Sequence, residues 1–371
     1  MIKKIGIVTL PFFNWFDYNY GGVLQNYALK TFLSKMNFDS VTIRCDNMNS
    51  LDFQRNKDFL DKGKRIAKWH NLPYIFHSSK IDQKRFEKFE RFISQNISPI
   101  SFDYYDEQKF RNLALDFDYF VVGSDQVWRP IGINEETSKK YFLEFASKKQ
   151  RISYAASIAD TSIPDDKIAY YKVGLSEMKS ISVREKSGAN ILKKRVNIDS
   201  FVNIDPVLLL NSNDWEKIES KPSQLDVDQY IVTYFLGKTN KDVISKINNI
   251  ANENKLKIIN IMDKKSDFYS CDPSEFIYLI NHSKIVCTDS FHATVFSIIF
   301  NKPVLTFKRT EKNMDRMYGR ISDLFDSFGL DDRLYEKVDN EDYFNANYSK
   351  FYEEISKSID ETINYFNNAL N

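Results

Sequence analysis

His292 lies within Lys284–Phe307, KIVCTDSFHATVFSIIFNKPVLTF. Lys284–Thr288 is short, apolar and β-branched, the pattern of a buried strand. Asp289 and Ser290 can cap a helix that starts after them. Ala293–Phe300 is an apolar helical run stopped by Asn301 and Pro303, and Val304–Phe307 is the next strand. The histidine therefore falls where turn becomes helix. A helix N-terminus has unpaired N–H groups and a partial positive charge, so it can seat an anion. A histidine there can hand a proton to a bound anion or take one back. The plainer alternative, a capping or packing histidine, has the same spacing.

Three other places could do chemistry. Phe117–Val122 is a strand ending in Gly123-Ser124-Asp125-Gln126-Val127-Trp128. Polar residues at the carboxyl end of a parallel strand are where open α/β sheets bind ligands, so Asp125 is a candidate. Its alternative is a buried turn carboxylate. Ile181–Arg184 is a short strand ending in an arginine, whose planar fork can grip phosphate or carboxylate or pair with Glu185. Gly21 and Gly22 open an amphipathic helix over Val23–Lys35, where glycines let backbone come close to a ligand. Neither a G-x-G-x-x-G fingerprint nor a P-loop Gly-Lys-Ser/Thr is present.

Strands and helices alternate along the chain. Ile5–Leu10, Val41–Arg44, Ile152–Ser157 and Val202–Asp205 are further strands of the first half. Tyr230–Leu236 and Lys257–Ile261 are strands of the second. The pattern predicts an α/β protein with parallel sheets, two doubly wound domains around a cleft. The expected boundaries are a first domain over 1–210, with a polar helical insertion at about 46–110, and a linker over 211–228. A second domain comes next over 229–340, then a C-terminal helical segment over 341–371. Residues 52–91 carry eleven Lys/Arg against six Asp/Glu with aromatics interleaved. This arm is either an acceptor or membrane-surface contact or a solvated insertion with an inward aromatic face.

At 371 residues two ordinary domains are expected, and 42% hydrophobic with 28% charged residues describes a globular chain. The net charge of +1 gives no argument for nucleic acid. The 30 Phe and 21 Tyr exceed ordinary use; such a surplus lines clefts, including sugar-binding ones, though most must be core. Three separated cysteines and four scattered histidines argue against a disulfide framework and against a metal site. His282 is expected to cap a helix C-terminus. No signal peptide or membrane span is read, so a reducing cytoplasm is the expected compartment.

Read together, several motifs resemble the polysaccharide pyruvyl transferase family. They are Asn19-Tyr20-Gly21-Gly22-Val23-Leu24-Gln25-Asn26-Tyr27-Ala28, Gly123–Trp128, Ser153-Tyr154-Ala155-Ala156-Ser157, Ile181-Ser182-Val183-Arg184-Glu185, Asp205-Pro206 and Thr288-Asp289-Ser290-Phe291-His292-Ala293. Their order and spacing run from about residue 4 to residue 335. The resemblance implies a GT-B-like pair of Rossmann-type domains facing a central cleft, with no metal or organic cofactor. It implies transfer of a pyruvyl group from phosphoenolpyruvate to two hydroxyls of one sugar, leaving a cyclic ketal and phosphate. The implied acceptor is a lipid-linked or polymeric glycan, which places the enzyme at the inner membrane face. Oligomeric state is left open. Many members have Ser-Arg-Leu-His-Gly around the histidine; here Ser290 occupies the arginine position, and Lys308 or Arg309 could replace that contact.

On this reading His292 is the acid/base. Arg184, Lys308 and Arg309 hold the donor, and Asp125 binds acceptor hydroxyls or acts as a base. Asn14, Gln25, Gly21, Gly22, Ser124 and Ser290 complete the lining. Two other readings stay open: a GT-B glycosyltransferase using a nucleotide sugar, and a non-catalytic glycan-binding subunit of envelope assembly.

Overall fold

The β-branched runs of the sequence assemble into two parallel sheets. A computed structural model of the chain describes residues 2–10, 19–45, 79–102, 112–309, 315–330, 333–338 and 343–371. In the first half, β1 (Lys4–Val8), β2 (Asp39–Cys45), β3 (Ile100–Phe102), β4 (Tyr119–Val122) and β5 (Arg151–Ser153) pair in the order β3-β2-β1-β4-β5. Ile5 sits opposite Tyr119, and Gly6 opposite Val41. A short parallel pair, β6 (Ser182–Val183) and β7 (Phe201–Val202), continues from the β5 edge through single bridges. In the second half, β8 (Tyr230–Tyr234), β9 (Lys257–Asn260), β10 (Ile285–Thr288) and β11 (Val304–Thr306) pair in the order β11-β10-β8-β9. Every residue of β8 and β10 is buried, as a sheet covered on both faces requires. The architecture is α/β with two Rossmann-like domains, as the alternating pattern predicts.

Strand order reverses between β1 and β4 in one sheet and between β8 and β10 in the other. Such switch points open a crevice at the carboxyl ends of the strands. Six helices bear on that crevice: α1 (Tyr20–Lys35), α2 (Lys80–Asn96), α3 (Pro273–Asn281), α4 (Phe291–Ile299), α5 (Asp315–Phe328) and α6 (Ser349–Ala369).

Helix α4 begins at Phe291, two residues before the apolar run, because the Ser290 hydroxyl caps it by accepting from the Ala293 N–H. His292 is thus inside the first turn. Likewise α1 begins at Tyr20, ahead of the expected Val23, because Asn19 Oδ1 accepts from the Gly22 N–H at 2.7 Å. Both corrections come from a cap that lies outside the apolar periodicity.

All nine residues of α4 are buried, so its stability comes from packing on every side. Phe296 is fully buried and meets Trp215 edge-on at 4.8 Å. Trp215 lies in the expected linker, yet it too is fully buried, and the turn ahead of it is closed by a capping box between Asn211 and Asp214. Phe296→Ala is expected to cost about 3–5 kcal/mol, read as a lower urea midpoint with an unchanged slope.

The two halves share one apolar cluster. Val23 and Leu24 of α1 belong to it together with Phe276, Val295 and Phe296 of the second half. Tyr20 stacks flat on Phe276 at 4.1 Å and donates its hydroxyl to the Cys271 carbonyl at 2.7 Å. Helix α6 crosses back: Phe351 packs in the shared cluster, and Phe366 packs with Ile5 and Val121. The described end of the polar arm, α2, turns Phe89 and Phe92 inward. Its Arg85 donates to the Tyr20 hydroxyl at 2.9 Å and to the Tyr269 carbonyl at 2.6 Å, and Lys88 pairs with Glu275. Residues 52–78 of the arm lie outside the described residues. Among the described residues no helix is long and apolar enough to cross a membrane.

Candidate active site

The first turn of α4 points His292 into the seam between the domains. A Cβ built on Gly21 would lie 2.0 Å from His292 Nδ1, so only a glycine leaves room for the ring. The N-termini of α1 and α4 therefore meet at this imidazole, one from each domain. Each brings roughly half a positive charge. His292 is 8% exposed, and its Nε2 lies 3.6 Å from Asp205 Oδ2. That is ion-pair range but too long for a hydrogen bond. A proton on Nε2 faces this carboxylate, which leaves Nδ1 on the Gly21 side.

Asp205 is the residue around which the rest is arranged, and it is 1% exposed. Pro206 comes directly after it and starts a short 3-10 turn, Pro206–Leu209, whose Val207 N–H donates to Asp205 Oδ1 at 3.0 Å. The other oxygen, Oδ2, accepts from Arg184 Nη1 at 2.7 Å. Burial alone would push its carboxyl pKa up. The charges of His292 and Arg184, with the hydrogen bond from Arg184, more than offset this, holding it far below the ordinary carboxylate range.

Arg184 leaves the end of β6 with a side chain only 3% exposed. Burial disfavours its charge, but Glu185, Asp205 and Asp125 outweigh that and keep it firmly protonated. Its Nε donates to Glu185 Oε1 at 2.9 Å, and Ser157 donates to the same oxygen at 2.7 Å. The guanidinium carbon stands 4.7 Å over the Phe291 ring. Two of its three nitrogens are thus committed, and Nη2 is buried with no hydrogen-bond partner among the described residues. The pairing with Glu185, which the sequence offers as the alternative to gripping a ligand, is present but buried, and Asp205 joins it.

The other candidates fall into groups. Ser124 is fully buried, donates to the Ala155 carbonyl at 2.7 Å and lies 3.5 Å from Asp205 Oδ2. Its N–H donates to Gln25 Oε1 at 3.1 Å, while Gln25 Nε2 donates to Thr9 at 2.9 Å. Gln25 therefore ties β1 to β4 beneath the site. Asp125 has a positive φ of 64°, and its Oδ1 accepts from the Gln126 N–H at 2.9 Å. Arg309 sits behind α4, with Nε 3.0 Å from Asp289 Oδ2 and Nη2 3.4 Å from the Asp289 carbonyl. Asp289 in turn accepts from the Leu236 and Gly237 N–H groups at 2.8 Å each. Lys308 turns outward and pairs with Glu336 at 2.7 Å. His282 ends α3 and faces Glu219 at 3.0 Å. Asn14 lies outside the described residues. Among the described residues no three His, Cys, Asp or Glu side chains converge as metal ligands.

Asp205 carries no expected role from sequence alone, and Glu185 enters there only as a possible ion-pair partner of Arg184. The signal available was Asp205-Pro206 at a strand end, an N-cap carboxylate beside the crevice. Nothing local says that its second oxygen would meet an arginine 21 residues back and a histidine of the other domain.

Comparisons with known proteins bear on the family. No curated protein sequence matches the chain. Solved structures similar to it include the UDP-GlcNAc 2-epimerase from Neisseria meningitidis bound to UDP-GlcNAc. That likeness has 12% identity and a TM-score of 0.47, covering 98% of this chain and 99% of that one. The Methanocaldococcus jannaschii UDP-GlcNAc 2-epimerase in complex with UDP-GlcNAc and UDP gives 14% identity and a TM-score of 0.41, covering 98% and 99%. Acinetobacter baumannii MurG gives 10% identity and a TM-score of 0.34, covering 88% and 84%. A family model described as polysaccharide pyruvyl transferase matches residues 19–310. That span begins at the cap of α1, ends just past β11, and takes in Gly21, Arg184, Asp205 and His292, so the chain belongs to the polysaccharide pyruvyl transferase family.

Proposed function

We propose that the protein moves the pyruvyl group of phosphoenolpyruvate onto two hydroxyls of one sugar. The sugar belongs to a surface or capsular polysaccharide or its lipid-linked precursor. The observation that carries this reading is His292, set between two helix N-termini and backed by buried Asp205. The reaction is acid/base chemistry on an enol phosphate. A proton is delivered to the methylene carbon, which makes the adjacent carbon an oxocarbenium-like electrophile. One sugar hydroxyl attacks that carbon and gives up its proton. The C–O bond to phosphate breaks, and the second hydroxyl closes the ketal. Of the two hydroxyl protons, one ends on the methyl carbon and the other on phosphate. No organic cofactor or metal enters this balance.

His292 is the group that moves protons, and Asp205 faces its Nε2 side. The donor is an anion, and the two helix ends are the natural seat for its phosphate. Arg184 offers only Nη2, so its larger part is to fix Asp205, and it grips the donor with one nitrogen rather than a full fork. Arg309, held by Asp289, stands behind α4 as a second cation. Lys308 contributes from further out. Asp125, at the turn after β4, takes the part of a second base. A lipid-linked acceptor places the enzyme at the inner membrane face.

Gly21→Ala tests the seat directly. The helix itself gains from alanine by about 1 kcal/mol, so folding should survive. The ring of His292 must move aside, and a displacement of that size is expected to cost roughly 10²-fold in turnover. Activity near that of the parent would remove Gly21 from the mechanism.

The test of the function is thermal melting with phosphoenolpyruvate, and separately with uridine and guanosine diphosphate sugars. A ligand at about a hundred times its dissociation constant stabilises by roughly 2.7 kcal/mol. Stabilisation by phosphoenolpyruvate that weakens in Arg184→Ala is the expected result. Stabilisation by a nucleotide sugar alone would replace pyruvyl transfer with glycosyl transfer.

A further inference from the structure

On the Arg184 side of His292 a cleft of about 320 Å³ opens between the ends of β6 and β7 and helices α5 and α6. Its inner wall is Arg184, Glu185, Asp205 and Phe291. Its outer wall is Asp323 and Ser327 of α5 with Glu354, Lys357, Ser358 and Glu361 of α6. Asp205 is among the lining residues and its sealed side chain faces His292, so the cleft lies one residue away from the imidazole. We propose that this cleft is the acceptor subsite, that it takes a neutral hexopyranoside unit, and that the α5–α6 wall selects the sugar. The proposal rests on the pyruvyl-transfer reading for the word acceptor, though not for the binding of sugar.

Charge decides which substrate belongs here. Glu185 and Asp205 are taken up by Arg184, and on the rest of the lining the carboxylates of Asp323, Glu354 and Glu361 outnumber the cations of Lys186 and Lys357. Such an outer wall repels the anionic donor, which is left the helix ends and the one uncommitted nitrogen of Arg184. It suits a neutral polyhydroxyl compound. Ionised carboxylates only accept hydrogen bonds and hydroxyls can donate them, while Lys and Arg supply donors for ring and hydroxyl oxygens. The volume is at the lower end of the ~300–1,000 Å³ of small-molecule sites, which suits a sugar unit with the rest of a glycan running out past the rim.

The division of the walls adds the specificity. The inner wall lies within residues 19–310, the part that matches the family model. The outer wall lies beyond it, on helices that this chain supplies after β11. Chemistry common to the family thus belongs to one side of the cleft and selection to the other. Hydroxyl recognition by placed polar groups is the strongest form of such selection, because a sugar lacking the matching hydroxyl leaves them unpaired.

The experiment uses the full chain with methyl β-galactoside, β-glucoside, β-mannoside and β-N-acetylglucosaminide, each observed by saturation-transfer NMR. Phosphoenolpyruvate binding is measured separately by melting. Ser358 is half-buried on the α6 face of the cleft, so Ser358→Trp should fill the space while the helix forms as before. The double variant Glu354→Gln, Glu361→Gln removes charge without adding bulk. At least one glycoside should bind the parent chain, at least ten-fold more weakly to Ser358→Trp, with phosphoenolpyruvate binding unchanged. The Gln pair should change the order in which the four glycosides bind. The proposal is overturned if none of the four binds the parent. It also falls if both variants bind them as the parent does, or if Ser358→Trp loses phosphoenolpyruvate instead. Glycoside binding that Ser358→Trp abolishes, in a chain that never binds phosphoenolpyruvate, would uphold the cleft and remove the pyruvyl donor.

Discussion

His292→Ala is expected to fold and to lose nearly all transfer, roughly 10²–10⁴-fold in kcat. The ring is small and lies at a seam rather than in a sheet, so the fold should tolerate its removal. The loss should fall on kcat more than on the KM for phosphoenolpyruvate, because the helix ends that seat the phosphate remain. Stopped assays of phosphate release, read beside the far-ultraviolet circular dichroism of the same sample, separate the two. Near-parental turnover in a folded variant would sink the acid/base role.

Asp205→Asn should be nearly as damaging, and for two reasons that can be told apart. The buried carboxylate is bonded to Arg184 and faces His292. Removing one partner of a buried ion pair costs about 3–5 kcal/mol, because the other charge is left without its counterpart. Glu185 still pairs with the arginine, which favours the lower end of that range. The orientation of the imidazole is lost as well, which lowers kcat further than the stability loss explains. Acid provides the second measurement. The folded carboxyl titrates well below its unfolded value of about 3.9, so the unfolded chain takes up the proton first. The stability that Asp205 contributes is therefore complete above about pH 4 and drains away as pH falls toward the folded value. Parent and Asp205→Asn should differ in melting temperature at about pH 6 and converge in strong acid. A constant difference down to about pH 2 would contradict the depressed carboxyl.

Much of this was legible in the sequence because it is local. The β-branched run Lys284–Thr288, the caps at Asp289 and Ser290, and the stop at Asn301 and Pro303 put His292 at a helix start without any tertiary knowledge. The glycine pair at residues 21 and 22 marked a close approach of backbone. What it approaches, a histidine of the second domain, is a product of domain packing. Arg184 was visible as a strand-end cation, yet its two carboxylate partners could not be weighed from order alone. One of them is its neighbour Glu185, and the other, Asp205, is reached only because β6 and β7 pair. The polar stretch after Asn211 read as a linker because its composition is hydrophilic. Trp215 escaped that average, and one buried indole is enough to dock the segment against α4. The outer wall of the cleft left no motif at all, since Glu354, Lys357 and Glu361 are ordinary surface residues of a helix until α6 crosses back over the first domain.

Transfer of a pyruvyl group from an enol phosphate to a sugar at this site can be measured directly. The protein is incubated with phosphoenolpyruvate isotopically labelled at its enol carbon and a panel of glycan acceptors, and label and phosphate are followed together. The expected result is that the label moves to a ketal carbon bonded to two sugar oxygens, with one phosphate released per ketal, and that His292→Ala makes neither. Label recovered as free pyruvate, or phosphoenolpyruvate left intact while a nucleotide sugar is consumed, would contradict pyruvyl transfer.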